Sequence, residues 1–265
     1  MIELKKISVS TPSKKVIVDN VSLDITPGKL TAIVGKNGAG KSSVLKALCG
    51  DVQKSSGTIL FEGKTIDEIN LGELARRRAV MTQKTNIEFS FSAREIVGIG
   101  RTPFSGVFAS LKDEKIILKC MEKADALHLK DQSFTTLSGG EQQRVHFARA
   151  LAQIWDAIEA KTPSYLLLDE PLASLDVAHQ HEMMFILKQI CKQNVGVLIV
   201  IHDLNLAAQY ADVVHILKDG KTVAHGSPYE VFTEEIVTKA FDYPVSVIPH
   251  PKIQCPLIVA SNTTS

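Results

Sequence analysis

The sequence predicts an α/β fold in which a mostly parallel sheet carries an α-helical insert and is preceded by antiparallel strands. Three observations predict it. Near-continuous apolar runs at Leu30–Val34, Tyr165–Leu168, Val195–Ile201 and Val213–Leu217 read as strands buried on both faces, as in a parallel sheet covered by helices. Residues 2–9 and 16–25 alternate in polarity, and the polar turn Thr11-Pro12-Ser13-Lys14-Lys15 joins them into a β-pair. Between about 84 and 155 the pattern becomes helical, with Asp113–Leu127 and Glu141–Ile154 as its firm helices.

The Leu30–Val34 strand runs into Gly35-Lys36-Asn37-Gly38-Ala39-Gly40-Lys41-Ser42, and a helix-like run, Ser43–Leu48, follows as far as Gly50. The spacing G-x-x-x-x-G-K-[ST] between a strand and a helix is that of a phosphate-binding loop. Its glycines let backbone N–H groups turn toward phosphate oxygens, and the helix aims its positive dipole end at the same anion. Lys41 would reach the β/γ-phosphates and the Ser42 hydroxyl would ligate Mg²⁺, with Ser43 counted in the same set. A glycine turn capping an ordinary helix is the plain alternative, but every fixed position matches in the required context. Further along, Thr58–Phe61 reads as a short strand, Leu71–Arg78 as a helix, and Ala79–Thr82 as a strand ending at Gln83.

Tyr165–Leu168 ends in Asp169 and Glu170. Ligands of parallel sheets sit beyond the carboxyl ends of strands. Asp169 is therefore placed to hold Mg²⁺ and Glu170 to act as general base on the attacking water. Ser138-Gly139-Gly140-Glu141 opens the Glu141–Ile154 helix as a capping box, which accounts for Ser138 and Glu141 but not for two glycines in a row. A second anion site at that helix start is the sharper reading. Gln83 and His202 each close a strand; a γ-phosphate sensor suits His202, and a water- or metal-positioning role suits Gln83. His179 and His181 flank Gln180 without a third ligand nearby and read as helix surface.

Together these residues resemble the ATP-binding subunit of an ABC transporter. Leu137-Ser138-Gly139-Gly140-Glu141-Gln142-Gln143-Arg144 matches that family's signature, Ser174-Leu175-Asp176 its D-loop, Gln83 its Q-loop and His202 its switch histidine. The resemblance implies a P-loop NTPase core working as a head-to-tail homodimer. Each ATP, with Mg²⁺, would lie between the phosphate loop of one subunit and the signature turn and Asp176 of the other. It also implies transmembrane permease subunits contacted through about 84–110, a periplasmic substrate-binding protein met only indirectly, and a peripheral position on the cytoplasmic face of the bacterial inner membrane. One departure is that Ser8–Lys15 holds no aromatic residue on which adenine could stack. The stretches Phe89–Val97, Gly100–Phe104, Ala75–Val80 and His202–Ala208 are similar to ATPases of iron–siderophore, cobalamin and haem importers. The long link Ile154–Ser164 and Ala178-His179-Gln180-His181 are similar to the haem (hemin) importer ATPases, so haem is the implied cargo, with iron–siderophore or cobalamin as the alternative.

The expected organisation is one ABC ATPase domain over 1–265. Residues 1–83 and 156–245 form the nucleotide-binding core, 84–155 the helical subdomain, and 246–265 a packed, extended C-terminal arm. Lys+Arg of 30 against Asp+Glu of 29 leaves a nearly neutral chain, which argues against a nucleic-acid partner. The four cysteines form no C-x-x-C pair and read as reduced thiols. No apolar run approaches the ~18–20 residues of a membrane span, and no signal-peptide pattern opens the chain. A switch GTPase would need an N-K-x-D motif, which does not occur, and a chromosome-type ATPase a long coiled coil before the signature. Phe89, Phe91, Phe104 and Phe108 cluster in the insert as a docking patch or as subdomain core.

Overall fold

In the computed structural model, residues 1–83, 89–105 and 110–261 are described. β1 (Ile2–Ser10) and β2 (Val16–Ile25) form the N-terminal pair, followed by β3 (Leu30–Gly35), α1 (Lys41–Cys49), β4 (Ser56–Phe61) and β5 (Lys64–Thr65). Next come α2 (Leu71–Arg77), β6 (Arg78–Met81), α3 (Ala93–Ile99), α4 (Thr102–Ser105), α5 (Leu111–Lys123) and α6 (Gly139–Glu159). The chain continues through β7 (Ser164–Asp169), α7 (Val177–Cys191), β8 (Val195–Val200), α8 (Leu204–Tyr210) and β9 (Val213–Lys218). It closes with β10 (Lys221–Gly226), α9 (Pro228–Val231), α10 (Glu234–Phe241), β11 (Val245–Pro249) and β12 (Pro256–Ala260). These elements belong to two compact units, Met1–Glu68 with Leu198–Ser265, and Ile69–Val197.

In the first unit an antiparallel sheet runs in the order β2-β1-β4-β5. Ile2 and Leu4 pair with Ile25 and Leu23, and all four side chains are buried. The register slips between Leu4 and Ile7, where Lys6 takes a left-handed φ of 52°, and the bulge keeps Ile7 and Val9 on the buried face. β3 pairs in parallel with β9, from Thr31 opposite Val213 to Gly35 opposite Leu217, and β10 adds an antiparallel edge. Every residue of β3 is buried, as its continuous apolar run requires.

The C-terminal stretch is more ordered than an extended arm. β11 and β12 form a hairpin, with Val245 opposite Ala260 and Pro249 opposite Pro256. Its prolines stand at the far end of the pairing, where a missing N–H costs least. Asn205 of α8 clamps it, accepting from the Ile258 N–H at 2.8 Å and donating to the Ile258 carbonyl at 3.2 Å.

In the second unit β6 and β7 run parallel, from Arg78 opposite Tyr165 to Met81 opposite Leu168. α6 is its central element, burying Val145, Phe147, Leu151, Ile154 and Trp155. α5 begins and ends earlier than its periodicity suggests. Ser110 caps it through a capping box with Asp113, and Asp125 stops it in a left-handed conformation (φ 50°). The Ala126 and Asp125 N–H groups close that end on the carbonyls of Met121 and Glu122, the pattern of a Schellman motif. Arg101, almost wholly buried, ties the helices of this unit together. It bonds Asp113 at 2.8 Å, Asp156 at 2.6 Å and the Ala152 carbonyl at 2.7 Å.

Asp113→Ala would leave the Arg101 guanidinium short of its buried counterion, so the second unit should lose about 3–5 kcal/mol, read from urea unfolding. Asp156→Ala, at a more exposed carboxylate, should cost less. Although burial opposes its ionisation, hydrogen bonds from Lys112 and Arg101 hold the Asp156 carboxyl below its ordinary value. Its contribution to stability should therefore be complete above the unfolded pKa of about 4 and be lost as pH falls through the lower folded value.

Candidate functional site

The phosphate loop lies in the first unit, between β3 and α1. Gly35 has φ 152°, and a Cβ there would stand 2.2 Å from the Leu217 carbonyl oxygen of the neighbouring strand. Only glycine fits. α1 starts at Gly40 in a left-handed conformation, with no side-chain cap and no acidic residue in its first turn. α3, α5 and α6 each carry a capping box instead. The first N–H groups of α1 therefore meet no capping side chain, and with the helix dipole they make an anion site. Lys41, 5% exposed, folds back so that Nζ donates to the carbonyls of Gly35 at 2.9 Å and Lys36 at 3.0 Å. Ser42 and Ser43 lie half-buried in the same first turn, Asn37 and Gly38 are exposed, and Ala39 is buried. The Lys36 ammonium turns away to Asp242 at 3.0 Å, where Lys218 joins it. His202 is exposed just beyond β8, next to Asp203, which caps α8.

The carboxylates lie in the second unit. Asp169 ends β7 and is 3% exposed. Glu170 follows with a left-handed φ of 51°, a costly conformation for a side chain of its size and one that concentrates at functional sites. Met81 pairs with Leu168 in parallel register, so Gln83 and Glu170 each lie two residues beyond that pair. Gln83 Nε2 donates to Glu170 Oε2 at 2.6 Å.

At the start of α6 the Ser138 hydroxyl accepts from the Glu141 N–H at 3.4 Å and donates to Glu141 Oε2 at 2.7 Å. The Ser138 hydroxyl and N–H together hold the Glu141 carboxyl below its ordinary pKa. The paired glycines have a reason inside the same unit. A Cβ on Gly140 would stand 3.0 Å from the Ser174 carbonyl oxygen, and one on Gly139 3.4 Å from the Ser174 side chain. The loop before α7 thus packs on the start of α6. Asp176 caps α7, accepting from the His179 N–H at 3.0 Å and meeting His179 Nδ1 at 2.8 Å, contacts that hold its carboxyl below the ordinary range. Gln142 and Gln180 brace the two loops by donating to carbonyls of Phe134, Leu137, Leu172 and Leu175.

A glycine-rich helix start open to an anion and a strand that ends in two carboxylates are the parts of a nucleoside triphosphatase. The sequence pattern of the ABC transporter family matches residues 18–173, more than half of the chain. The chain belongs to the ABC transporter family. It carries that family's ATP-hydrolysing cassette. The hemin import ATP-binding protein HmuV of Gloeobacter violaceus is 42% identical over 249 residues, covering 94% of this chain and 90% of its own length. HmuV of Pseudomonas entomophila is 39% identical over 259 residues, covering 98% and 99%. Among solved structures, a dimeric ATP-binding cassette in a post-hydrolysis state with ADP and Pi matches with a TM-score of 0.73 and 26% identity, over 86% of this chain and 98% of that one. A chain of an inward-facing ABC transporter described as of metal-chelate type matches with a TM-score of 0.81 over 99% of this chain; at 24% identity it shows the fold alone.

His179, read from the sequence as helix surface, is a partner of the Asp176 carboxylate. The i, i+3 spacing of Asp176 and His179 at a helix start was the available signal. Of the phenylalanine cluster, Phe89 and Phe91 are exposed and edge-to-face at 6.2 Å, while the Arg101 guanidinium lies 4.0 Å from the Phe104 ring centroid. Phe108 is outside the described residues. Gly35→Ala should destabilise the first unit far more than Gly38→Ala, because a Cβ at Gly38 meets nothing within 4 Å. Gly38→Ala should cost only the ~1–3 kcal/mol of a left-handed side chain; urea unfolding of the two variants gives the comparison.

Proposed function

We propose that the chain is the ATP-hydrolysing subunit of a bacterial haem importer. The observation that supports the chemistry is Glu170, held by Gln83 at the end of a buried strand in a strained backbone conformation. Haem as cargo is supported by relatives that import hemin. The N–H groups of the phosphate loop and Lys41 bind the β- and γ-phosphates. Glu170 takes a proton from water, the water oxygen attacks the γ-phosphorus, and the β–γ bridging bond breaks with its electron pair leaving on ADP. Gln83 orients Glu170 and the water, and His202 senses the γ-phosphate.

Among the described residues no group of three or more His, Cys, Asp or Glu could hold a metal ion alone. Ser42, Gln83 and Asp169 supply hard oxygen donors, which suits Mg²⁺, a cation that keeps water and phosphate oxygens as its other ligands. Bound there, it would offset the negative charge of the phosphates. Ser138, Gly139, Gly140, Glu141 and Asp176 of a second copy complete the nucleotide site. On binding, the Ser138 hydroxyl would redirect its proton from Glu141 to a phosphate oxygen.

No helix among the described residues is long and apolar enough to cross a membrane. On the importer reading, a membrane-spanning permease docks on this subunit. Besides the exposed Phe89 and Phe91, the second unit has a groove of about 450 Å³ lined by Leu71, Leu74, Val80, Ile99, Pro103 and Arg149. Burial holds the Arg149 guanidinium below its ordinary pKa, and among the described residues no carboxylate pairs with it. An apolar partner segment with an acidic or carbonyl group suits that lining.

Two experiments test the proposal. Glu170→Gln should lower ATP turnover by ~10²–10⁴ while leaving Mg-ATP binding nearly intact, and should accumulate an ATP-dependent dimer on gel filtration. Turnover at the wild-type rate would remove Glu170 as the base. Separately, Leu71→Glu with Phe89→Glu should abolish co-purification with the permease and leave ATPase activity of the isolated subunit within about twofold, as surface changes away from the chemistry do. Complex formation that survives both changes places the docking surface elsewhere.

A further inference from the structure

His179 is held between two carboxylates on two different elements. Nδ1 meets Asp176 Oδ1 at 2.8 Å at the start of α7, and Nε2 faces Asp125 Oδ2 at 3.8 Å in the Schellman turn that ends α5. Asp125 is in turn gripped by α6: Arg144 Nε donates to its carbonyl at 3.1 Å and lies 3.9 Å from its carboxylate. A continuous polar chain therefore runs from the Asp176 loop through His179 and Asp125 to Arg144, one turn beyond the glycines of α6. A second contact closes the circuit, because the Ser174 carbonyl lies so close to Gly140 that a Cβ would meet it at 3.0 Å. All of these residues belong to the second unit.

We propose that His179 is a positioning residue that locks the Asp176 loop to the Ser138–Glu141 turn, so that one copy presents both to the nucleotide of another as a single edge. The inference rests on the two-copy reading above and extends it. Two loops that must meet one nucleotide together gain from being ordered before they meet it, since the ordering cost is removed from the encounter. Gly140 supplies the close packing. The His179–Asp125–Arg144 chain supplies direction, because it fixes which way the Asp176 carboxylate points. The left-handed backbone at Asp125 aims that residue's own carboxylate at the imidazole. Asp176 without His179 would still cap α7 through the backbone N–H, but its carboxylate would be free to rotate.

Amide hydrogen exchange of the nucleotide-free full chain tests the lock itself. His179→Ala should speed exchange in 172–176 and in 137–142 together, by about tenfold, the scale of a coupling near 1.4 kcal/mol. Acceleration confined to 172–176, or none, overturns the proposal. The consequence is read in the Glu170→Gln background as the dissociation constant of the ATP-dependent dimer. His179→Ala and Asp125→Ala should each weaken that dimer about tenfold, and the double variant no further. His179→Asn, which keeps a donor for Asp176 but cannot reach Asp125, should behave like His179→Ala. A dimer as tight as the parent, additive effects, or full rescue by Asn overturns the lock. So does a dimer loss matched by an equal loss of the monomer's thermal stability, which marks a merely structural role. Failure of Glu170→Gln itself to dimerise overturns the two-copy reading instead, and the exchange result still decides on the lock.

Discussion

The start of α1 is a helix end without a cap. Helices α3, α5 and α6 satisfy their first N–H groups with Ser–Glu or Ser–Asp boxes, whereas α1 begins at a glycine with no side-chain acceptor and no acid in its first turn. Such an end is costly in the free chain unless water or an anion meets it. The surrounding residues keep the end available. Gly35 lets the loop pass under the Leu217 carbonyl, and two loop carbonyls hold the Lys41 ammonium over the same turn. A phosphate bound there would complete the helix, and part of its binding free energy would appear as stability of the bound chain.

A second constraint is the parallel register of β6 and β7. Because Met81 stands opposite Leu168, the residues two further on in each strand emerge side by side at the carboxyl end of the sheet. Gln83 and Glu170 are those residues, and their 2.6 Å hydrogen bond follows from the register. A slip of one residue would turn every buried side chain of β7 to the other face. The fully buried run Tyr165–Leu168 therefore holds the geometry of the Gln83–Glu170 pair as well as the core.

Elements whose cause is local were legible in the sequence. β3, β7, β8 and β9 are near-continuous apolar runs, and the loop before α1 has the spacing of a phosphate-binding loop. Features set by distant partners were not legible. The stop at Asp125 depends on a left-handed residue that is not glycine, and its role needs Arg144 and His179 beside it. The C-terminal hairpin depends on Asn205, fifty-three residues before Ile258. The two glycines of α6 signalled in the sequence that something approaches the backbone. Ser174, more than thirty residues away, approaches them within the same unit.

The stretch Ile154–Ser164 is largely the end of α6 rather than a link after it. α6 continues to Glu159, where Trp155 Nε1 donates to the Glu159 carboxylate at 2.8 Å and Lys119 of α5 meets it at 3.1 Å. The Lys119 ammonium also lies 5.1 Å from the Trp155 ring centroid. The last turn of α6 thus braces α5 against α6 through an indole, a carboxylate and an ammonium. Those are contacts between helices of one unit, with neither the apolar enclosure nor the axial ligand that a haem would demand. That turn ties α5 to α6 in the helical unit that carries both the groove and the α6 glycines.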